Sequence, residues 1–216
     1  MLETQRLGPP DAGDGTPVIV LMHGRGADSS DLAPLRRVLP ERAALVLPRA
    51  PHPGLPWGYG PGWAWYRYEG GTRPEPESFR ASQAALDELV QGLPELLGYR
   101  PGPVVLGGFS QGGTMALGHA LRNPGSVPAV LVFSGFLPDH PDVRVTPESV
   151  EGTGIWWGHG TADPAVSHGW AVAGRTALAS AGADLEARDY PIGHAISPQE
   201  IQDAVGWLEA RIGTAA

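Results

Sequence analysis

Between Val104 and Leu121 the chain passes from an apolar β-branched run into a helical pattern with only a glycine-rich turn between them. Pro103 to Gly107 reads as a strand, Gly112 to Leu121 as a helix, and Gly107-Gly108-Phe109-Ser110-Gln111-Gly112-Gly113 makes the corner. A strand that turns at once into a helix forces one residue into a sparsely populated backbone conformation, at a cost of about 1–3 kcal/mol. Side chains at positions 108 and 112 would crowd that turn, and glycine relieves the crowding.

The same alternation runs along the rest of the chain. Strands are predicted at Pro17 to Met22, Ala43 to Leu47, Ala129 to Phe133, Gly154 to Trp157 and Leu185 to Tyr190. Helices are predicted at Ser30 to Leu39, Pro76 to Leu97, Ser167 to Ala181 and Pro198 to Ile212. Such alternation implies βαβ crossovers, a mostly parallel sheet and helices on both of its faces. No internal repeat or linker interrupts the 216 residues, so one domain spanning 1–216 is expected, with no large cap inserted between core strands. Ligand chemistry in such a sheet gathers at the carboxyl ends of its strands.

Composition narrows that chemistry. The chain has no Cys, and all 15 of its basic residues are Arg. A thiol nucleophile, a cysteine-bound zinc, a lysine Schiff base and a P-loop lysine are therefore excluded by residue type. The formal charge of −8, with scattered arginines, offers no basic stripe to a phosphate backbone, so no nucleic-acid partner is expected. The longest apolar runs, such as Val18 to Met22, are too short to span a bilayer, and no signal-peptide pattern opens the chain; a soluble cytoplasmic protein is the expectation.

A serine at a strand-to-helix corner can act as a nucleophile if a base takes its proton and a carboxylate orients the base. G-x-S-x-G alone is weak evidence, but the flanking strand and helix give it weight. Chain order in folds with this elbow runs Ser, acid, His. His194, in Tyr190-Pro191-Ile192-Gly193-His194, follows a late strand, and Asp163, in Gly158-His159-Gly160-Thr161-Ala162-Asp163-Pro164, follows the strand before it. Asp139, Asp142, Asp184 and Asp189 read as solvent-facing. His23-Gly24-Arg25-Gly26, at the end of the Pro17 to Met22 strand, can turn a backbone N–H toward the serine; with the N–H of Gln111 it would form an oxyanion hole. His23 itself reads more readily as a structural histidine. His119, His159 and His168 lack metal-ligand spacing, the His140 and Asp142 segment reads as a solvated loop, and neither a metal nor a cofactor is expected.

From Pro48 to Pro76 periodicity disappears while Trp57, Tyr59, Trp63, Trp65, Tyr66 and Tyr68 accumulate. So many rings argue for an ordered loop. Trp63, Trp65 and Tyr66, with Phe136, are candidates to line an apolar substrate pocket, although core packing explains each ring equally well.

Together these segments resemble the phospholipase/carboxylesterase family of α/β-hydrolases, the group of small bacterial carboxylesterases and acyl-protein thioesterases. The resemblance rests on His23-Gly24-Arg25-Gly26-Ala27-Asp28, Gly108-Phe109-Ser110-Gln111-Gly112-Gly113, His159-Gly160 with Asp163-Pro164 and Val166, and Gly193-His194; Trp63-Ala64-Trp65-Tyr66 is similar to the family's aromatic segment. It implies an α/β-hydrolase fold, oxyanion amides from Arg25 and Gln111, and a homodimer. It also implies hydrolysis of carboxylic esters by Ser110, His194 and Asp163 through an acyl-enzyme. Arg25 stands where acyl-protein thioesterases usually carry Leu, which argues against a long-acyl protein substrate, and with no large cap expected between core strands small soluble esters are the expected substrates. A thioesterase, lysophospholipase or amidase would use the same residues, and a non-catalytic receptor of this fold is the reading from another class.

Overall fold

The computed structural model describes residues 2–212. Met1 and residues 213–216, the outer ends of the expected 1–216 domain, lie outside the described residues. The chain begins with β1 (Thr4–Leu7) and β2 (Val18–Met22), followed by a 3-10 turn at Ala33–Arg37 and β3 (Ala44–Pro48). Two small hairpins come next, β4 (His52–Pro53) with β5 (Trp63–Ala64), and β6 (Tyr68–Gly70) with β7 (Arg73–Pro74). The remainder alternates: α1 (Pro76–Gln91), α2 (Leu93–Leu97), β8 (Val104–Phe109), α3 (Gln111–Arg122), β9 (Ala129–Phe133), β10 (Gly154–Gly160), α4 (His168–Ser180), β11 (Asp184–Tyr190) and α5 (Pro198–Ile212).

Seven strands form one sheet in the order β1-β3-β2-β8-β9-β10-β11. Every neighbouring pair is parallel except β1 with β3. The fully buried β2 shows why its sequence is apolar throughout. Side chains alternate across a strand, so Val18, Val20 and Met22 enter the core beneath α1, α3 and α4, whereas Ile19 and Leu21 enter the core beneath α5. With both faces covered, no position of β2 can be polar without burying an unpaired group.

The structure departs from the sequence reading in definite places. The helix expected over Ser30 to Leu39 is the five-residue 3-10 turn Ala33–Arg37. Pro34 near its start and Pro40 beyond its end leave no run long enough for α-helix; of the apolar positions at helical spacing, Leu32 and Leu39 are buried while Val38 is exposed. The helix expected over Pro76 to Leu97 breaks at Gly92 into α1 and α2. Pro94 lacks an N–H and could not continue the ladder. Strand β1 has no counterpart in the sequence reading: Thr-Gln-Arg-Leu carries little β signal, and its register (Thr4 opposite Pro48, Leu7 opposite Leu45) comes from a distant partner. β8 and β10 also run further than expected, to Phe109 and Gly160.

The order of the strands positions the site. From β2 the chain moves outward to β3 on one side, then returns to β8 on the other, so the carboxyl ends of β2 and β8 meet at the point where the winding reverses.

Candidate active site

Ser110 occupies the corner between β8 and α3 with φ 55° and ψ −117°, one of two non-glycine residues with positive φ among the described residues. Two backbone hydrogen bonds hold it there: its N–H donates to Phe133 O at 2.8 Å, and Thr114 N–H donates to Ser110 O at 3.1 Å. The corner is packed against β2, where a Cβ on Gly108 or Gly112 would overlap the Met22 carbonyl oxygen. Glycine at both positions is therefore set by the approach of β2 as well as by the turn.

His194 lies in the loop after β11. Its Nδ1 donates to Asp163 Oδ2 at 2.7 Å, and its ring packs against Phe109 at 4.6 Å between centroids. Asp163, in the loop after β10, has a fully buried carboxylate. Its Oδ1 accepts from the amides of Ala165 and Val166, both at 2.8 Å, which leaves Oδ2 for the imidazole. His159 backs this loop: its Nε2 donates to Val166 O at 2.9 Å and lies 3.6 Å from Asp163 Oδ2. Burial holds the pKa of His159 below the ordinary histidine value, so it sits neutral behind the carboxylate.

Ser110 and His194 line one cavity of about 410 Å³ together with Gly24, Arg25, Tyr59, Tyr68 and Trp170. Across the Phe109 and His194 rings lies a second, more apolar hollow of about 270 Å³, lined by Leu32, Pro34, Leu35 and Ile196. The two rings form the partition between these spaces. Gly24 permits it, because a Cβ there would press on the Phe109 ring at 3.1 Å.

The four expected pocket residues do not line the cavity. Trp65, Tyr66 and Phe136 are fully buried in the core beneath α1 and α3. Trp63 is half-buried, and the Arg49 guanidinium sits 3.9 Å over its ring. The rings that reach the cavity are Tyr59, Tyr68 and Trp170, and the expected ones stand behind them: Phe136 packs on both Tyr68 and Trp170, and Tyr66 on Tyr68. Trp65 and Tyr66 are drawn into the core where the loop meets the elbow, their backbone bonded to the Gln111 side chain.

Gln111 is the first residue of α3, and Arg25 lines the cavity. The first N–H groups of a helix have no partner within it, so the Gln111 amide is available to an oxygen at Ser110. What sequence reasoning missed is the Gln111 side chain, which is fully buried. Its Oε1 accepts from Trp65 N at 3.0 Å and its Nε2 donates to Tyr66 O at 2.8 Å, clipping the aromatic loop to the corner. The Arg25 turn is fixed to the same loop, with Gly26 N donating to Trp63 O at 2.7 Å and Trp63 N to Ala27 O at 2.8 Å. The signal that could have revealed this is a long polar side chain at the buried start of a helix, facing a loop with many backbone groups to satisfy.

Three of the other histidines have structural partners. His23 Nε2 accepts from Ala50 N–H at 3.0 Å, so its proton is on Nδ1, which donates to Gly24 O at 2.7 Å; burial lowers its pKa and keeps it neutral. His119 pairs with Asp87, and His168 with Asp189. Asp189 also takes Arg175, Asp184 takes Arg211 and Asp142 takes Arg80, so these acids are committed to surface ion pairs. Among the described residues no group of three or more His, Asp or Glu side chains is placed to hold a metal ion, and no helix is long and apolar enough to cross a membrane.

Sequence and structure comparisons agree on the kind of protein this resembles. The sequence model of the phospholipase/carboxylesterase family matches residues 10–212. Acyl-protein thioesterase 1 of Cryptococcus neoformans is 26% identical over 239 residues, covering 96% of this chain and 96% of that protein. Among solved structures, a carboxylesterase from Mesorhizobium loti superposes with a TM-score of 0.76 at 26% identity, covering 91% of this chain and 90% of that one. The acyl-protein thioesterase 2 of Zea mays shares the fold, with a TM-score of 0.79 at 23% identity over 99% of this chain and 100% of that one.

Proposed function

The chain belongs to the phospholipase/carboxylesterase family of α/β-hydrolases, and from that premise we propose that it is a serine carboxylesterase that hydrolyses small carboxylic esters through an acyl-enzyme. The observation that carries this reading is the shared cavity: Ser110 and His194 both line it, and the Nδ1 of His194 is tied to Asp163 at 2.7 Å. With Nδ1–H committed to the carboxylate, Nε2 keeps a free lone pair and is the basic nitrogen.

The reaction follows from those positions. Nε2 of His194 takes the hydroxyl proton as Ser110 Oγ bonds to the ester carbonyl carbon, and the carbonyl oxygen gains charge between the amides of Arg25 and Gln111. Collapse of the tetrahedral intermediate breaks the bond to the alcohol oxygen, which leaves with the proton from Nε2. Water then repeats the sequence on the acyl-enzyme, His194 acting as base and returning the proton to Ser110. Asp163 stabilises the imidazolium formed in each half and keeps its charge.

The apolar hollow beside His194 favours a second reading, in which an acyl chain extends over Leu32, Leu35 and Ile196 and the leaving group is a thiol, as the name of the Cryptococcus relative states for that protein. Rates on matched ester and thioester pairs of graded acyl length separate the two. A receptor has no use for an activated serine, so stoichiometric labelling by a fluorophosphonate, located at Ser110 by peptide mass, tests the enzymatic reading itself. Absence of labelling together with absence of ester hydrolysis would remove it. A single domain is supported by the two cores lying on either face of one continuous sheet, and a homodimer remains a proposal for sedimentation to test.

A further inference from the structure

Ester hydrolysis as such asks for a nucleophile, a base and two amides, and none of these needs a permanent positive charge beside the substrate. The cavity nevertheless has one. Arg25 is the only arginine among its lining residues, and no Asp or Glu lines it, in a protein whose formal charge is −8. The guanidinium is not spent on a surface ion pair: no carboxylate among the described residues pairs with it. Instead two rings steady it, 4.7 Å over Tyr59 and 5.4 Å over Tyr68. The Tyr68 N–H donates to Tyr59 OH at 2.9 Å, so the two rings that carry the charge are tied to each other.

This arrangement suits recognition better than stability. A partly exposed cation over rings contributes little to folding, about 0.5–1 kcal/mol. Yet no carboxylate among the described residues engages the guanidinium's N–H donors, and those are the donors that grip an oxyacid in bidentate fashion. The side chain also starts at the reacting centre, because the amide of the same residue is the proposed donor to the ester oxygen. At about 410 Å³ the cavity lies near the small end of the range for ligand pockets, roughly 300–1,000 Å³. A substituent that stays in this cavity on an ester held at Ser110 shares the space with Arg25.

We propose that Arg25 selects esters bearing a carboxylate a few atoms from the scissile bond, so that the preferred substrates are half-esters or acyl conjugates of a small carboxylic acid. A single guanidinium matches a single negative charge. A phosphate would bring nearly two into a net acidic protein with one cation to receive them. This selectivity rests on the esterase reading above, but it is a property of the binding site and can be measured apart from turnover.

The test compares isosteric charged and neutral esters on both halves of the substrate: 4-carboxyphenyl butyrate against 4-carbamoylphenyl butyrate, and 4-nitrophenyl hydrogen adipate against 4-nitrophenyl adipamate. 4-(Phosphonooxy)phenyl butyrate serves as the phosphate arm. In at least one pair the natural protein should prefer the carboxylate by about tenfold or more in kcat/KM, chiefly through KM, which is the size of one charge-assisted hydrogen bond. The preference should shrink as salt rises. Arg25→Met should bring the ratio within each pair toward one, and Arg25→Lys should keep part of it. Because each ratio is taken on a single protein, any loss of overall rate in a variant cancels. Ratios unchanged by Arg25→Met, or a neutral ester preferred in both pairs, would overturn the proposal while leaving the esterase intact, and a preference for the phosphate ester would overturn the assignment to carboxylates. Calorimetric titration of the Ser110→Ala protein with monomethyl adipate, which carries one carboxylate, and with methyl adipamate, which carries none, separates the two layers. Arg25-dependent binding of monomethyl adipate, together with no ester hydrolysis by the natural protein, would support the site and sink the esterase reading; equal binding of both ligands would sink the site.

Discussion

Replacing Glu200 by Gln should make the protein more stable in mild alkali while leaving its stability in acid much less changed. Glu200 stands in the first turn of α5, where its backbone N–H donates to Ser197 Oγ at 3.0 Å and its Oε2 accepts from Ser197 N at 3.2 Å, a reciprocal cap. The residue is fully buried, and Oε1 presses against β10 where Gly158 has no Cβ to meet it, with no hydrogen-bond partner there. Burial raises its pKa from 4.5 to about 7, outweighing the Ser197 amide and the charge of Arg175. The native state therefore binds this proton more tightly than the unfolded chain. Its contribution is whole below pH ~4.5 and is lost as pH rises through about 7, a difference near 2.5 pKa units, or about 3 kcal/mol at 1.36 kcal/mol per unit. Gln keeps the cap and has no proton to lose. Any offset from seating its amide is the same at every pH, and the buried histidines titrate alike in both proteins. Urea unfolding of the two proteins at half-unit steps from pH 4.5 to 8.5 isolates the term: the gap between them should widen by about 3 kcal/mol in favour of Gln, or about 6–12 °C in Tm for a domain of this size. Curves that stay parallel over that range would refute the argument that an uncompensated buried carboxyl sits under β10.

Ser110→Ala should lower turnover on a preferred ester by about 10⁵ to 10⁶, and Asp163→Asn by about 10⁴, with folding unchanged by circular dichroism; near-wild-type rates in the alanine protein would undo the mechanism. Phe136→Ala should cost about 3–5 kcal/mol of stability in urea, with little change in selectivity among small esters, because this ring supports Tyr68 and Trp170 without reaching the cavity. A variant of full stability with altered selectivity would return Phe136 to the pocket. Gln111→Leu should destabilise by about 2–4 kcal/mol, since it strands the Trp65 amide and the Tyr66 carbonyl in the interior. An unchanged urea midpoint would show that the loop is held by other means.

What the sequence made legible was the part governed by local rules. A β-branched strand, glycines at two crowded positions and a helix starting within one residue all point to a strained corner, and Ser110 has the positive φ that such a corner demands. The placement of Asp163 and His194 could be read because each follows a strand of a parallel sheet, whose carboxyl ends face one way. The walls of the cavity obeyed no such rule. Tyr59 and Tyr68 face it, while Trp65 and Tyr66 turn into the core, because the chain between them is held by backbone bonds to Gln111, 45 and 46 residues away. No periodicity in residues 51–69 encodes a partner at that distance. Strand β1 was invisible for the same reason: its register is dictated by β3. The apolar spacing over residues 30–39 marked the buried Leu32 and Leu39 but also Val38, which is exposed, and it gave no sign of the 3-10 turn, because the prolines decide how far the helix runs.

The dependence of the cavity on distant bonds also bears on how selectivity and turnover are coupled. Three fasteners join the aromatic loop to the two turns from which the proposed oxyanion amides come: the Gln111 side chain to residues 65 and 66, Trp65 Nε1 to His23 O at 2.9 Å, and the exchange of backbone bonds between Gly26, Ala27 and Trp63. The loop that presents Tyr59 and Tyr68, and so steadies the Arg25 guanidinium, is thus bolted to the geometry on which charge stabilisation depends. A substitution that shifts those rings shifts the amides with them, and preorganised donors lose much of their effect when displaced by a fraction of a hydrogen-bond length. Substrate range in this protein is therefore altered more safely at side chains that only project into the cavity, such as those of Arg25 and Trp170, than at the loop residues whose backbone holds the corner together.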